Sequence, residues 1–299
     1  MKLAVQWLMV ILVFTPAHFN LRPLVRYLRE PGGTHTISTP RQNIPVQMPV
    51  KTTGEMLQLG ATSSLAVDVD TNTVLFTKNA SERRPIASIT KLVTAMVILR
   101  DHQLSEVVTV PAQPTYQSED ETMGLVAGQQ FKLGDLLKAA MISSANDAAD
   151  ALAIADSGSK EAFGAKMNGL VSDWGISDAH FTNPTGLVDQ DNYASADALA
   201  KIGKIALANT ELRTLVATRS SQITSLNGQT FNLASTNQLL SDARFSGLKT
   251  GYTAAAGQSL VGLVDVHGHK VITVVLNSPD RFGETQALVN YLERTYTWL

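Results

Sequence analysis

Ser88 and Lys91 stand three residues apart in the stretch RPIASITKLV. On a helix that spacing puts both side chains on one face. Their neighbours Ile86, Ala87, Ile89, Leu92 and Val93 are apolar. A serine hydroxyl is a weak nucleophile and needs a base, and a lysine amine serves as that base only when neutral. Desolvation, a nearby cation and a helix N-terminus all favour the neutral amine. A plain N-cap accounts for Ser88 equally well. It leaves Lys91 unexplained, because a first-turn lysine faces the unfavourable end of the helix dipole. The spacing recurs at Ser157 with Lys160 and at Ser246 with Lys249. The first lies in the polar run DSGSK and the second spans a glycine, so only Ser88 opens an apolar helix.

A second cation would help keep Lys91 neutral. Residues 247–257, GLKTGYTAAAG, hold the chain's one Lys-Thr-Gly, Lys249 to Gly251. Lys249 and Thr250 there suit an anionic group, and Gly251 would let a substrate lie against a strand edge. The plain reading is an edge strand with an exposed lysine. A third element, MISSANDAAD, places Ser144 and Asn146 after an apolar run, where one helical pattern breaks and another starts. That position implies a loop pinned at the core. Asn146 or Asp147 would also serve as a cap for the following helix. Ser-x-Asn recurs at Ser225/Asn227 and Ser235/Asn237, both in polar stretches.

The elements that must position these residues follow from pattern. SSLAVDVD and TVLFTKN alternate about TNT, and SLVGLVDV and KVITVVLN flank HGH, so each pair predicts a hairpin. Helical patterns run from about Ser88 to Arg100, from about Leu133 to Ala155, through AFGAKMNGLVSDWG and ADALAKIGKIALAN, and from Glu284 to Leu299. Strands near both ends with helices between predict one sheet built from distant parts of the chain, with a helical insertion.

The 299 residues are 44% apolar with a net charge of −2, so no basic excess exists for a nucleic-acid partner. No cysteine is present, which excludes disulfides and thiolate metal sites. The histidines, at 18, 35, 102, 180, 267 and 269, form no HExxH or paired metal spacing, and no GxSxG, Walker or GxGxxG motif occurs. Neither a metal nor an organic cofactor is implied. Residues 3–17, LAVQWLMVILVFTPA, form an apolar run. As a helix it spans roughly 22 Å against a bilayer core of about 30 Å, and continuing to Leu21 makes a marginal span. A signal peptide fits the single Lys2 and the early position. An uncleaved anchor fits the length better, although Arg22, Arg26 and Arg29 run against the usual charge bias. Residues 30–55 are rich in Pro, Gly and Thr and read as a tether. The expected organisation is an anchor or signal segment at 1–29, a linker at 30–56 and a catalytic domain at 57–299.

The order SxxK, SxN, KTG resembles the penicillin-recognising serine enzymes. Together with FTNPTGL and GLKTGYTAAAGQSLVG, it is similar to the low-molecular-weight D-alanyl-D-alanine carboxypeptidases over the whole globular part. That resemblance implies an α/β (α+β) fold of the β-lactamase/transpeptidase type: an antiparallel sheet flanked by helices, plus a mainly helical subdomain with Ser88 in the cleft between them. It implies Ser88 as acylated nucleophile, Lys91 as base, Ser144 as proton relay and Asn146 as the holder of a substrate carbonyl and of Lys91. Lys249, Thr250 and Arg281 would bind the terminal carboxylate, and the backbone N–H groups of Ser88 and Tyr252 would form the oxyanion hole. The implied partners are a peptidoglycan stem peptide ending in D-Ala-D-Ala, β-lactam antibiotics and, through the N-terminal segment, the extracytoplasmic face of a membrane. Endopeptidase action on cross-links shares the same acyl site. A β-lactamase is disfavoured because no ExxLN loop occurs; Glu211 in ELRTL lacks the Asn and its surroundings read as a helix end. A non-catalytic wall-binding module has no use for a base.

Overall fold

Two β-branched runs near the C-terminus form the centre of the sheet. The computed structural model describes residues 46–112, 116, 121–187 and 191–299. The expected anchor at 1–29 and the expected linker up to residue 45 lie outside them.

In chain order, the first strand is Pro49–Lys51 (β1). Ser63–Asp68 (β2) and Val74–Lys78 (β3) form the predicted hairpin. Its turn is fixed by Asp68 Oδ1, which accepts from the backbone N–H and the hydroxyl of Thr71, both at 2.7 Å. Arg84–Pro85 (β4) leads through a 3-10 turn, Ala87–Thr90, into helix Lys91–Asp101 (α1). Val107–Thr109 (β5) and Gln130–Lys132 (β6) make a small ribbon. Three helices follow, Leu133–Ile142 (α2), Asn146–Ser157 (α3) and Lys160–Asp173 (α4). Strands Ala179–His180 (β7) and Tyr193–Ala194 (β8) pair with each other and with β4. Helices Ala196–Ala208 (α5) and Thr210–Ala217 (α6) precede a separate hairpin of Ser220–Thr224 (β9) and Thr230–Ala234 (β10). The chain closes with Phe245–Gly251 (β11), Gln258–Val266 (β12), His269–Ser278 (β13), helix Arg281–Thr295 (α7) and Tyr296–Trp298 (β14).

The main sheet has the order β11-β12-β13-β2-β3 and is antiparallel throughout. β12 and β13 are nearly continuous in buried residues, as central strands covered on both faces must be. Their two-residue turn, His267 and Gly268, has φ of +54° and +87°, the left-handed pair of a type I′ hairpin. Helix α7 covers one face, with Leu288, Val289 and Leu292 packed among Leu260, Val271 and Val275. The other face packs against α5 and the helical lobe. Each such fully buried aliphatic side chain contributes about 1.5–3 kcal/mol. Local capping agrees with sequence: Ser159, Ser195, Asn209 and Asp280 each accept a backbone N–H at the start of α4, α5, α6 and α7.

Helix α1 lies in the middle of the lobe, with Lys91 to Ile98 all buried. An all-round buried helix is one that the lobe encloses.

Three expectations are corrected, and a fourth, the helical span 133–155, is resolved at the break that MISSANDAAD suggests. The helix expected from Ser88 begins at Lys91, and Ser88 lies in the preceding 3-10 turn, which has no side-chain cap. The helical pattern of 133–155 is two helices, broken where Ser144 takes φ +61°. The segment 284–299 is helical only to Thr295, and its last residues form β14. β14 pairs with β1, so residues 49–51, placed in the expected linker, belong to the folded body. The pairing extends outward through Met48 N–H to Leu299 O (2.9 Å) and Leu299 N–H to Met48 O (3.1 Å).

Candidate active site

Ser88 projects from the 3-10 turn, one residue after Ala87, whose φ of +48° is left-handed. A non-glycine residue there is strained by about 1 kcal/mol or more. The turn is held by the loop 181–187. Gly186 packs so closely that a Cβ on it would lie 2.0 Å from Ala87 O and 2.6 Å from Thr90 Oγ1. That loop is itself organised by Asn183 Oδ1, which accepts from the N–H and hydroxyl of Thr185 and the N–H of Gly186. It is tied to α1 where the Thr94 hydroxyl donates to Pro184 O at 2.7 Å. Asn192 Nδ2 donates to Thr90 Oγ1 at 2.5 Å.

Lys91 is fully buried at the start of α1. Its Nζ donates to Ser88 Oγ and to Asn146 Oδ1, each at 2.7 Å, and to Thr185 O at 3.4 Å. The buried amide nitrogen of Asn146 has no hydrogen-bond partner among the described residues. A buried donor without an acceptor is costly unless a ligand supplies one. Asn146 is held by its backbone N–H, which donates to Glu121 O at 2.7 Å. Neither Asn146 nor Asp147 caps α3. The Asp147 carboxylate accepts the N–H groups of Met123 and Leu125, pinning that segment beside the site. One turn further along α3, buried Asp150 accepts from Tyr116 Oη at 2.6 Å, and burial raises its pKa.

Ser144 and Lys249 form a second set. Lys249 Nζ donates to Ser144 Oγ at 3.0 Å and to Thr250 O at 3.1 Å. Lys249 is only 2% exposed, so the plain alternative of an exposed edge-strand lysine fails although β11 is the sheet edge. Burial, reinforced by the positive charges of Lys91 and Arg281, pushes its pKa well down; Glu121 opposes this. Arg281, the first residue of α7, donates from Nη1 to Gly251 O at 3.1 Å. Three basic side chains, Lys91, Lys249 and Arg281, thus lie within electrostatic reach of one another, an arrangement suited to an anionic ligand.

Gly251 has a different physical reason from the one expected. A Cβ there would meet Ile86 O at 2.6 Å and crowd Ile89 and Ala87. Its missing side chain therefore lets the Ser88 turn rest on β11, rather than opening the strand to a ligand. Tyr252 lies just past the last paired residue of β11 and is 59% exposed. Glu211 lies in the first turn of α6 and is exposed; the residues around it begin a helix rather than end one.

The structure brings Ser88, Lys91 and Asn146 into one hydrogen-bonded set and Ser144, Lys249 and Thr250 into a second, with Arg281 bonded to Gly251; the Tyr252 side chain is hydrogen-bonded to neither set among the described residues. Sequence reasoning missed Thr185, Asn183, Asn192, Glu121 and Thr236. The Asn-Pro-Thr-Gly run at 183–186 entered only through the resemblance, with none of its residues given a role.

Residues 49–280 match the family model described as D-alanyl-D-alanine carboxypeptidase. The chain belongs to that family. Its members are serine hydrolases of the penicillin-binding, β-lactamase/transpeptidase-like fold. The chain is 30% identical to a D-alanyl-D-alanine carboxypeptidase of Bacillus subtilis, over 73% of this chain and 57% of that protein. It thus spans little more than half the length of that relative. It is also 30% identical to a D-alanyl-D-alanine endopeptidase of Escherichia coli, over 83% of this chain and 80% of that protein. Among solved structures, a Streptomyces DD-transpeptidase superposes with a TM-score of 0.72 at 28% identity, covering 80% of this chain and 98% of the other.

Proposed function

We propose that the peptidase is a serine D,D-carboxypeptidase that removes the terminal D-alanine from peptidoglycan stem peptides through an acyl-enzyme on Ser88. The observation that carries this reading is the dry contact between Lys91 Nζ and Ser88 Oγ at 2.7 Å. In the neutral amine the same contact runs in reverse, and Lys91 accepts the Ser88 proton as the oxygen attacks the penultimate carbonyl. The carbonyl oxygen becomes an oxyanion held by the backbone N–H groups of Ser88 and Tyr252; removing one such donor typically costs about 3 kcal/mol of barrier. The C–N bond breaks as Ser144 passes a proton to the leaving D-alanine nitrogen. Water then hydrolyses the ester. The unpartnered Asn146 amide takes the substrate's peptide carbonyl, while Lys249, Thr250 and Arg281 receive the terminal carboxylate. A β-lactam, which presents a strained amide and a carboxylate in the same places, acylates Ser88.

The test is D-alanine release from a D-Ala-D-Ala peptide, with intact mass followed after adding penicillin. We expect release and a lasting adduct, both lost in Ser88→Ala; unchanged release in that variant would refute the reading. Fast loss of the adduct with drug consumed would make the protein a β-lactamase instead. The endopeptidase reading is favoured by the Escherichia coli relative and predicts cleavage of cross-linked dimers in preference to monomers. We place the peptidase outside the cytoplasmic membrane, with residues 3–21 as its tether. Among the described residues no helix is long and apolar enough to cross a membrane, and membrane fractionation of the full chain checks the tether.

A further inference from the structure

Thr250 is nearly buried, and the one hydrogen bond its hydroxyl makes among the described residues is to the hydroxyl of Thr236, at 2.6 Å. Thr236 belongs to neither the main sheet nor the lobe helices. It lies in the segment after β10, which is stitched across the mouth of the Ser144 loop. Ala234 N–H donates to Ser143 Oγ at 3.2 Å and Thr236 N–H to Ile142 O at 3.3 Å. Asn237 then caps the next turn by accepting from Leu239 N–H at 3.1 Å. The Thr236 side chain is therefore placed by backbone on both sides and set against Thr250.

A hydroxyl has one hydrogen and two acceptor lone pairs, whereas a carboxylate only accepts. Two hydroxyls in contact share one hydrogen, and either oxygen is able to donate it. An anion beside Thr250 removes that freedom: Thr250 must donate to the anion, so its oxygen is left to accept from Thr236. The chain then runs Thr236 to Thr250 to carboxylate, and each bond polarises the next. On the reading of the site given above, we infer that Thr236 is a positioning residue that turns the Thr250 hydrogen toward an anionic ligand. It acts through Thr250 and does not itself touch the substrate.

The test compares Thr236→Val, which keeps the shape and removes the hydroxyl, with Thr236→Ser, which keeps the hydroxyl. Steady-state release is measured as D-alanine from the D-Ala-D-Ala peptide and as D-alaninamide from the same peptide with a C-terminal carboxamide. Loss of one bond of this type corresponds to about tenfold in binding. We expect Thr236→Val to raise KM about tenfold on the carboxylate peptide with little change in kcat. The carboxamide peptide should change much less, and Thr236→Ser should stay near wild type. The penicillin acylation rate, which also depends on a carboxylate, should follow the same pattern. Equal losses on both peptides, equal losses in both variants, or no loss in Thr236→Val would overturn the inference. A wild-type chain that neither releases D-alanine nor forms the penicillin adduct would sink the reading of the site, and this inference with it.

Discussion

Lys249 is a basic group kept where water is scarce, within electrostatic reach of Lys91 and Arg281. Such a group weighs against the folded state. Its folded pKa lies well below that of an exposed lysine, driven by burial and then by Lys91 and Arg281. The unfolded chain therefore binds more protons between the depressed value and about 10.4, so folding stability from this group rises as pH rises through that window. Lys249→Met should stabilise the fold by about 1–2 kcal/mol at neutral pH. The gain should shrink toward pH 10, and denaturant melts at several pH values check it. The same variant should lose acylation by penicillin. A loss of stability at neutral pH would count against the buried cation described here. At this scale much of the site was legible: Ser88, Lys91, Ser144, Asn146 and Lys249 were chosen for chemistry and spacing. Gly251 was singled out for the wrong reason, because its close neighbour is Ile86 O, far away in sequence. Thr236 and Asn192 were invisible, since a hydroxyl or amide acquires a role here only through a partner brought up by the fold.

The elements carrying the site are fixed at their far ends as well. At the C-terminal end of α1, His102 is bracketed by Glu106 Oε2 at 2.8 Å and Asp156 Oδ2 at 3.0 Å, Asp156 closing α3. Lys166 of α4 reaches both Asp156 and Asp101, at 2.6 and 2.8 Å, and Arg100 lies alongside Asp101. One ionic cluster thus ties α1, α3 and α4 at the end remote from Lys91 and Asn146. Partial burial lowers the His102 pKa, but the hydrogen bonds to Glu106 and Asp156 outweigh it and the net shift is upward. A raised folded pKa gives stability that is complete below the unfolded value of about 6.5 and is lost as pH rises through the folded one. His102→Gln should lower Tm by roughly 2–4 °C near pH 6, with the difference shrinking above pH 8. A pH-independent difference would refute the charged bridge. The helix α1 was legible from its apolar run, and α4 and α5 from their periodicity. The break at Ser144 was legible too; the 3-10 start and the left-handed backbone of Ala87 and Ser144 were not, because neither residue is glycine. Local propensity argues against those conformations; tertiary packing, such as that of Gly186 on Ala87, imposes the first of them.

For the whole molecule, both hairpins and the composite sheet followed from pattern. The pairing of β1 with β14 did not, because three-residue strands at opposite ends of the folded body carry no periodicity that links them. That pairing covers more than an edge. Trp298 in β14 donates from Nε1 to the buried Asp68 Oδ2 at 2.8 Å and stacks on His269 at 4.7 Å. A soluble domain beginning at residue 57 should therefore melt several degrees below one beginning at residue 46, with both acylated by penicillin; equal Tm values would show β1 to be dispensable.

The same pairing decides how the body responds to tension. Met48 and Leu299 face each other at one end of the β1–β14 ladder. Pulling them apart loads the hydrogen bonds one after another, as in a zip, rather than all at once in shear. Force applied between Met48 and Leu299 peels this ribbon first, leaving the five-stranded sheet to bear load only after it has opened.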